Sequence, residues 1–214
     1  MTNLPAGMRR LVLASGSARR PELLSGLGLP FEVAPTHVDE SSEERDPSTL
    51  ARLLAERKAL AGAEVQGPDA CVITADTLVT RGGRIFGKPA DAAEAVATLQ
   101  ALRGETHEVI SGVAVAYGGS VASEVIVTRV TMRDYTDAEI TEYVASGDPL
   151  DKSGAYAIQH PGFAPAARVE GCLCSVIGLP LWTLRGLLYD VAGIEATPPI
   201  FARCETCPCR VPTT

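Results

Sequence analysis

No stretch of this 214-residue chain stays apolar for the roughly 20 residues that a membrane-crossing helix needs, so the sequence gives no transmembrane segment. Positive charge is also in deficit: 19 Lys and Arg face 26 Asp and Glu, a formal net charge of -7, which argues against broad contact with DNA or RNA. Histidine is scarce. His37, His107 and His160 are the three in the chain, and with no G-x-S-x-G elbow a histidine-centred hydrolytic triad has little to build on. Two glycine motifs fail on inspection. Gly26-Leu27-Gly28 follows a helical stretch and leads into Pro30, and residues 147–153 lack the second glycine of a P-loop and set Asp151 where phosphate would sit. Arg9-Arg10 is followed by an apolar run too short for a secretory signal, so the expected location is cytoplasmic.

What is present fits one folded domain. Hydrophobic residues make up 46% and charged residues 21%, enough to bury a core and too apolar for a disordered chain. Strand and helix signals alternate: strands over 11–14, 31–35 and 71–75, helices over 19–27, 48–63 and 91–102, the last opened by Asp91. Two long β-rich stretches, 107–117 and 121–133, meet at Gly118-Gly119, a hairpin signal. A helix over 136–146 carries Thr136 and Glu139 in capping-box spacing and stops at Gly147, and Pro180 opens a last helix to about 191. The expected class is α/β, with residues 1–195 as the domain and the Cys- and Pro-rich residues 196–214 as a mobile tail.

Chemistry concentrates first at Ser15-Gly16-Ser17-Ala18-Arg19-Arg20, a small-residue turn between a buried strand and a helix. Free N–H groups, the Ser15 and Ser17 hydroxyls and two guanidinium groups at such a turn suit a phosphate, although Ser17 as a plain helix cap fits the same letters. Asp76 ends an apolar run, where a carboxylate can hold a divalent metal or accept a proton from water; a turn aspartate is the alternative. Val38-Asp39-Glu40 adds carboxylates in an acidic loop over residues 34–48. Lys88 and Lys152 are flanked by turn formers and able to face a cleft, whereas Lys58 falls in a helix where a solvated position is ordinary. An acidic protein needs such a local reversal of field, or a divalent cation, to hold a triphosphate. Cys204, Cys207 and Cys209 offer part of a zinc or redox site, but three ligands do not complete a tetrahedral structural one.

These segments, read in order, resemble the Maf family of nucleoside triphosphate pyrophosphatases over about residues 10–190. The likeness rests on Leu13-Ala14-Ser15-Gly16-Ser17-Ala18-Arg19-Arg20, Ala55-Glu56-Arg57-Lys58-Ala59, Ala75-Asp76-Thr77, Gly87-Lys88-Pro89, Gly104-Glu105-Thr106-His107, the run from Tyr143 through Ser146-Gly147-Asp148-Pro149-Leu150-Asp151-Lys152-Ser153-Gly154 to Gln159, and Val176-Ile177-Gly178-Leu179-Pro180-Leu181. The resemblance implies a two-lobed mixed sheet with flanking helices around a central cleft, like inosine triphosphate pyrophosphatases, and a homodimer. It implies cleavage between the α and β phosphates with magnesium or manganese, Asp76 as proton acceptor, Glu40 and Asp76 as metal contacts, and Arg19, Arg20, Lys58, Lys88 and Lys152 toward the triphosphate. Arg19, Thr77 and Gln159 match the branch acting on dTTP and UTP, and an amide at Gln159 suits a pyrimidine edge. By the same likeness the role is nucleotide-pool sanitation with an effect on cell division; the alternative is a nucleotide-sensing or nucleic-acid-associated protein without turnover. His160-Pro161, Cys172 and Cys174 depart from the family pattern, and the tail lies outside it.

Overall fold

In a computed structural model, residues 10–210 are described; Arg9, Pro212 and the rest of residues 1–9 and 211–214 lie outside them. Seven strands form one mixed sheet in the order β2-β1-β3-β5-β6-β7, with β4 also on β3. The strands are β1 (Arg10–Leu13), β2 (Glu32–Val33), β3 (Ala70–Arg81), β4 (Arg84–Phe86), β5 (Thr106–Tyr117), β6 (Ser120–Met132) and β7 (Ala166–Glu170); the helices are α1 (Arg19–Ser25), α2 (Pro47–Gln66), α3 (Ala92–Leu102), α4 (Asp137–Ala145), α5 (Leu173–Ile177) and α6 (Leu181–Ala192).

Both faces of the sheet are covered, and the period of two shows in the packing. Leu11, Leu13, Cys71, Ile73 and Val113 pack with residues of α1, α5 and α6, while Val12, Ala70, Val72 and Ala114 pack under Ala55 and Ala59 of α2. A separate cluster forms where the long strands run on, with Val79, Val109, Val130 and Met132 against α3 and α4. These clusters make two lobes.

The pairing of β3 opens a cleft between them. β5 follows one edge of β3 from Val72 to Thr80, whereas the other edge is shared: β1 pairs with Ala70 through Ile73, and β4 with Val79 through Arg81. Among the described residues, no strand therefore lies beside residues 74–78 on that edge. β1 ends there because Ser15-Gly16-Ser17 cannot continue a buried strand, and the chain turns into α1.

Two expectations need correction. Asp76 does not end a strand; β3 runs on to Arg81, held by antiparallel pairing with β5, and Asp76 sits mid-strand opposite Gly112. What ends near it is β1. The tail is not loose over its described part: Thr197 N donates to Leu27 O at 3.2 Å, Ile200 N to Gly26 O at 3.2 Å, and Trp182 Nε1 to Cys204 O at 2.8 Å. Cys204 and Cys207 are buried in the same cluster as Leu27 and Trp182, so no structural boundary falls at residue 195. The prolines leave the tail little regular structure beyond a 3-10 turn at Ala202–Cys204, but its backbone groups and thiols find partners on the body.

Candidate active site

The cleft holds about 530 Å³ and takes its walls from both lobes. Its floor is the open stretch of β3 with Asp76, its first wall the Ser15 to Arg20 turn, and its opposite wall Gly87, Lys88 and the 151–156 loop.

Helix α2 supplies the central cation. An alanine face lets it lie close to the sheet: Ala51, Ala55 and Ala59 are fully buried, Thr74 Oγ1 donates to Ala55 O at 2.6 Å, and a Cβ at Gly112 would strike the Ala51 carbonyl. That approach brings Lys58 Nζ to 2.5 Å from Asp76 Oδ1 and 2.9 Å from Glu40 Oε1. Lys58 is not a solvated helix residue; its side chain is 12% exposed, and that of Asp76 11%. Lys58 holds the Glu40 carboxyl below its ordinary pKa through their hydrogen bond. The 34–46 segment is thus tied to the floor, whereas Asp39 is occupied by Ser41 N at 2.9 Å and Ser41 Oγ at 2.7 Å, as a turn aspartate is.

At the opening turn, Ser17 is not the cap of α1; that position is Ala18, with no side-chain bond. Ser15 organises the turn instead, its Oγ accepting from Ser17 N at 3.2 Å and Arg20 Nη1 at 2.9 Å. Arg20 Nε donates to Gly178 O at 2.9 Å, tying the turn to the end of α5. Burial lowers the pKa of Arg20 while the nearby Asp76 charge opposes that pull. Arg19 lines the cleft with no ion pair among the described residues, a cation left for a ligand. Lys88 is exposed on the facing wall.

Lys152 is drawn into its own loop. It is 7% exposed, and its ammonium meets Asp148 O at 2.5 Å, Asp151 Oδ1 at 2.6 Å and Asp148 Oδ1 at 2.9 Å. Tyr143 braces this loop, donating to Asp148 Oδ2 at 2.6 Å and accepting from Ala157 N at 2.9 Å. Gly154 (φ 73°) and Ala155 (φ 58°) carry the left-handed turn, which for alanine costs about 1 kcal/mol or more.

Thr77 also reaches the cleft, its Oγ1 3.0 Å from Ser111 Oγ. Gln159 does not. It is exposed on the turn closed by His160 N to Ala157 O at 3.1 Å and is absent from the cleft lining. The wall there is Ser153 and Tyr156, which sequence reasoning missed, as it missed the Gly178 carbonyl that fixes Arg20. Gly178 stood within a quoted motif, but a backbone acceptor leaves no mark on residue identity.

The chemistry of the donors suits a hard divalent ion. Two carboxylates from different segments converge on one cation position, now filled by Lys58 Nζ; oxygen donors in small number, completed by phosphate and water, are what magnesium or manganese takes.

Against known sequences, a family profile described as Maf-like protein matches residues 10–191. The chain is 43% identical over 209 residues, 94% of this chain and 95% of the relative, to a dTTP/UTP pyrophosphatase of Thermomicrobium roseum. It is 48% identical over 187 residues, 87% of this chain and 95% of the relative, to a dTTP/UTP pyrophosphatase of Deinococcus radiodurans, and 45% identical over 175 residues, 81% and 91%, to one of Bacillus cereus. Among solved structures, a nucleoside-triphosphatase described as a dITP/XTP pyrophosphatase from Mycobacterium abscessus aligns with 15% identity, over 59% of this chain and 76% of that one, with a TM-score of 0.38.

Proposed function

The chain belongs to the Maf family, and from that premise we propose that it hydrolyses nucleoside triphosphates, dTTP and UTP foremost, to the monophosphate and pyrophosphate. The observation that carries the reading is the Glu40–Lys58–Asp76 array on the floor of a cleft rimmed by Arg19, Arg20 and Lys88. An acidic protein has concentrated cations at one place, with a carboxylate at their centre.

In the proposed reaction, the triphosphate lies along the Ser15 to Arg20 turn, with Ser15, Ser17, Arg19 and Lys88 toward its oxygens. Arg20, fixed by Ser15 and Gly178, holds the turn in shape and presents its remaining donors. Asp76 takes the proton of the water that attacks the α-phosphorus, the α–β anhydride bond breaks, and the charge appearing on pyrophosphate meets Lys58 and Lys88. Lys152 contributes once a phosphate oxygen replaces Asp151 as its partner. Glu40 and Asp76 are the residues that would hold magnesium or manganese, which supplies neutralisation of the non-bridging oxygens when bound. Arg19 and Thr77 are the base-side contacts we favour; Gln159 lacks support from its position. The reading places the enzyme in the cytoplasm, where its substrates are, acting on the nucleotide pool as a homodimer.

The test is pyrophosphate release from dTTP, UTP, CTP and GTP with and without magnesium, for the wild type and Asp76→Asn. The expected result is a loss of about 10²–10⁴-fold in kcat for Asp76→Asn with nucleotide binding retained. Equal turnover by both proteins removes Asp76 from the reaction; binding without turnover in the wild type leaves a nucleotide sensor.

A further inference from the structure

Five of the six cysteines gather outside the cleft, where the C-terminal segment meets α5 and α6. Cys174 Sγ lies 3.2 Å from Cys204 Sγ, and the sulfurs of Cys172, Cys207 and Cys209 all lie within 4.8 Å of one another. We propose that Cys172, Cys207 and Cys209 bind a zinc ion as thiolates, stapling the C-terminal segment to the start of α5.

The geometry suits that ion. Around zinc at about 2.3 Å, thiolate sulfurs stand roughly 3.8 Å apart, so the three need only close inward. The two tail ligands are already presented, since Cys207 N turns back to Cys204 O at 3.4 Å, Arg210 N turns back to Cys207 O at 3.0 Å, and Pro208 fixes the backbone between them. Cys172, 1% exposed, comes from the body at the N-cap of α5. Over residues 196–210 the buried side chains are Ala196, Pro199, Cys204 and Cys207, with Phe201 and Cys209 partly buried against the same cluster, so thiols share this contact with apolar groups.

Charge and hardness agree. Three thiolates and one zinc leave a single negative charge, and the segment brings Arg203 and Arg210 with it; Arg203 faces Cys174 and Cys204, with its Nε buried and unpartnered among the described residues. Sulfur donors select zinc over magnesium, whereas the Glu40 and Asp76 oxygens do the reverse, so the two sites sort their metals. Three protein ligands leave one position for a small molecule such as water. Binding releases the three thiol protons to solvent.

The consequence reaches one wall of the cleft. α5 is flanked by Cys172 as N-cap and Gly178 as C-cap, and the Gly178 carbonyl holds Arg20.

The experiment does not depend on nucleotide hydrolysis. Chain purified under reducing conditions from zinc-supplemented cells is expected to carry about one zinc by elemental mass spectrometry, and the apo protein refilled with Co²⁺ to show thiolate-to-cobalt charge-transfer absorption. Cys209→Ser, at a half-buried position, is expected to lose both, and Cys174→Ser to keep both. Chelation lowers the melting temperature of the wild type and leaves that of Cys209→Ser unchanged. Absence of zinc together with absence of the cobalt band overturns the proposal, as does zinc retained in Cys209→Ser or a disulfide joining two of the three thiols. Should Cys209→Ser fail to fold, the cobalt band of the wild type decides alone.

Discussion

Lys58 shows how a residue's partners overrule its local context. In a helix rich in alanine and charge, a lysine is ordinarily solvated, and nothing in its neighbours distinguishes it. Its place between Asp76 and Glu40 is set by residues 18 positions away on either side. Asp76 itself was legible, because a carboxylate interrupting Cys71-Val72-Ile73-Thr74-Ala75 needs a reason to be there. Gln159 shows the converse: its type suits a base edge, but it is exposed on the turn at 157–160 and is not among the residues that line the cleft. His107 carries a prediction at this scale. It is 2% exposed, Nε2 is 2.8 Å from the Tyr156 hydroxyl, and Nδ1 has no partner among the described residues. Burial, with the Arg81 charge adding to it, lowers its pKa from 6.5 to about 4. A folded value below the unfolded one means that the neutral ring contributes stability fully present above pH 6.5 and lost as pH falls through about 4. Urea midpoints measured from pH 7 down to pH 4 are therefore expected to fall less steeply in a His107→Phe, Tyr156→Phe double variant, which leaves no hydroxyl without its match. Parallel slopes would assign the acid sensitivity elsewhere.

Elements with strong periodicity or caps stand where the sequence puts them. α3 begins after Asp91, whose side chain accepts from Glu94 N at 2.9 Å, α4 carries its reciprocal Thr136–Glu139 box, and the β5–β6 hairpin turns on Gly118 (φ 58°) and Gly119 (φ 83°). Elements defined by partners do not. β3 continues past Asp76 because β5 is there to pair with it, and the five-residue α5 is too short for a helical period to show. Gly112 joins the two cases. It reads as an ordinary strand residue, but it lies opposite Asp76 in the ladder and is where the backbone of α2 touches the sheet. Gly112→Ala is expected to push α2 outward, lower stability by about 1–3 kcal/mol as overpacking does, and reduce kcat more than a remote change of equal stability cost, because Lys58 moves with the helix. Denaturant midpoints and dTTP turnover, compared with a surface variant of matched stability, check it. Loss of stability with full turnover would show that Lys58 reaches Asp76 without that close approach.

At the scale of the whole molecule, the cleft exists because one strand changes neighbours: parallel to β1 below Asp76, antiparallel to β4 above it, and unpaired on that edge between. The lobe of α1, α5 and α6 is braced from outside the cleft, and the C-terminal segment is part of that brace. Its composition hid this. Prolines at 198, 199, 208 and 212 argue against regular structure, and docking with no more than a 3-10 turn leaves no period to read. The single tryptophan makes the docking measurable. Trp182 is 8% exposed, its Nε1 is bonded to Cys204 O, and the guanidinium of Arg210 lies 5.7 Å from its ring. Removing residues 196–214 unpairs that N–H, takes Ala196 O from Arg185 Nε and takes the Thr197 and Ile200 amides from Leu27 and Gly26. It also exposes indole surface worth roughly 25 cal/mol per Å². The truncated chain is expected to emit at longer wavelength and to melt several degrees lower, with acrylamide quenching of Trp182 rising toward that of the unfolded protein. Identical emission and melting in the two chains would mean that the segment rests on the body without stabilising it. The tie from α5 to Arg20 would then have to hold the cleft wall alone.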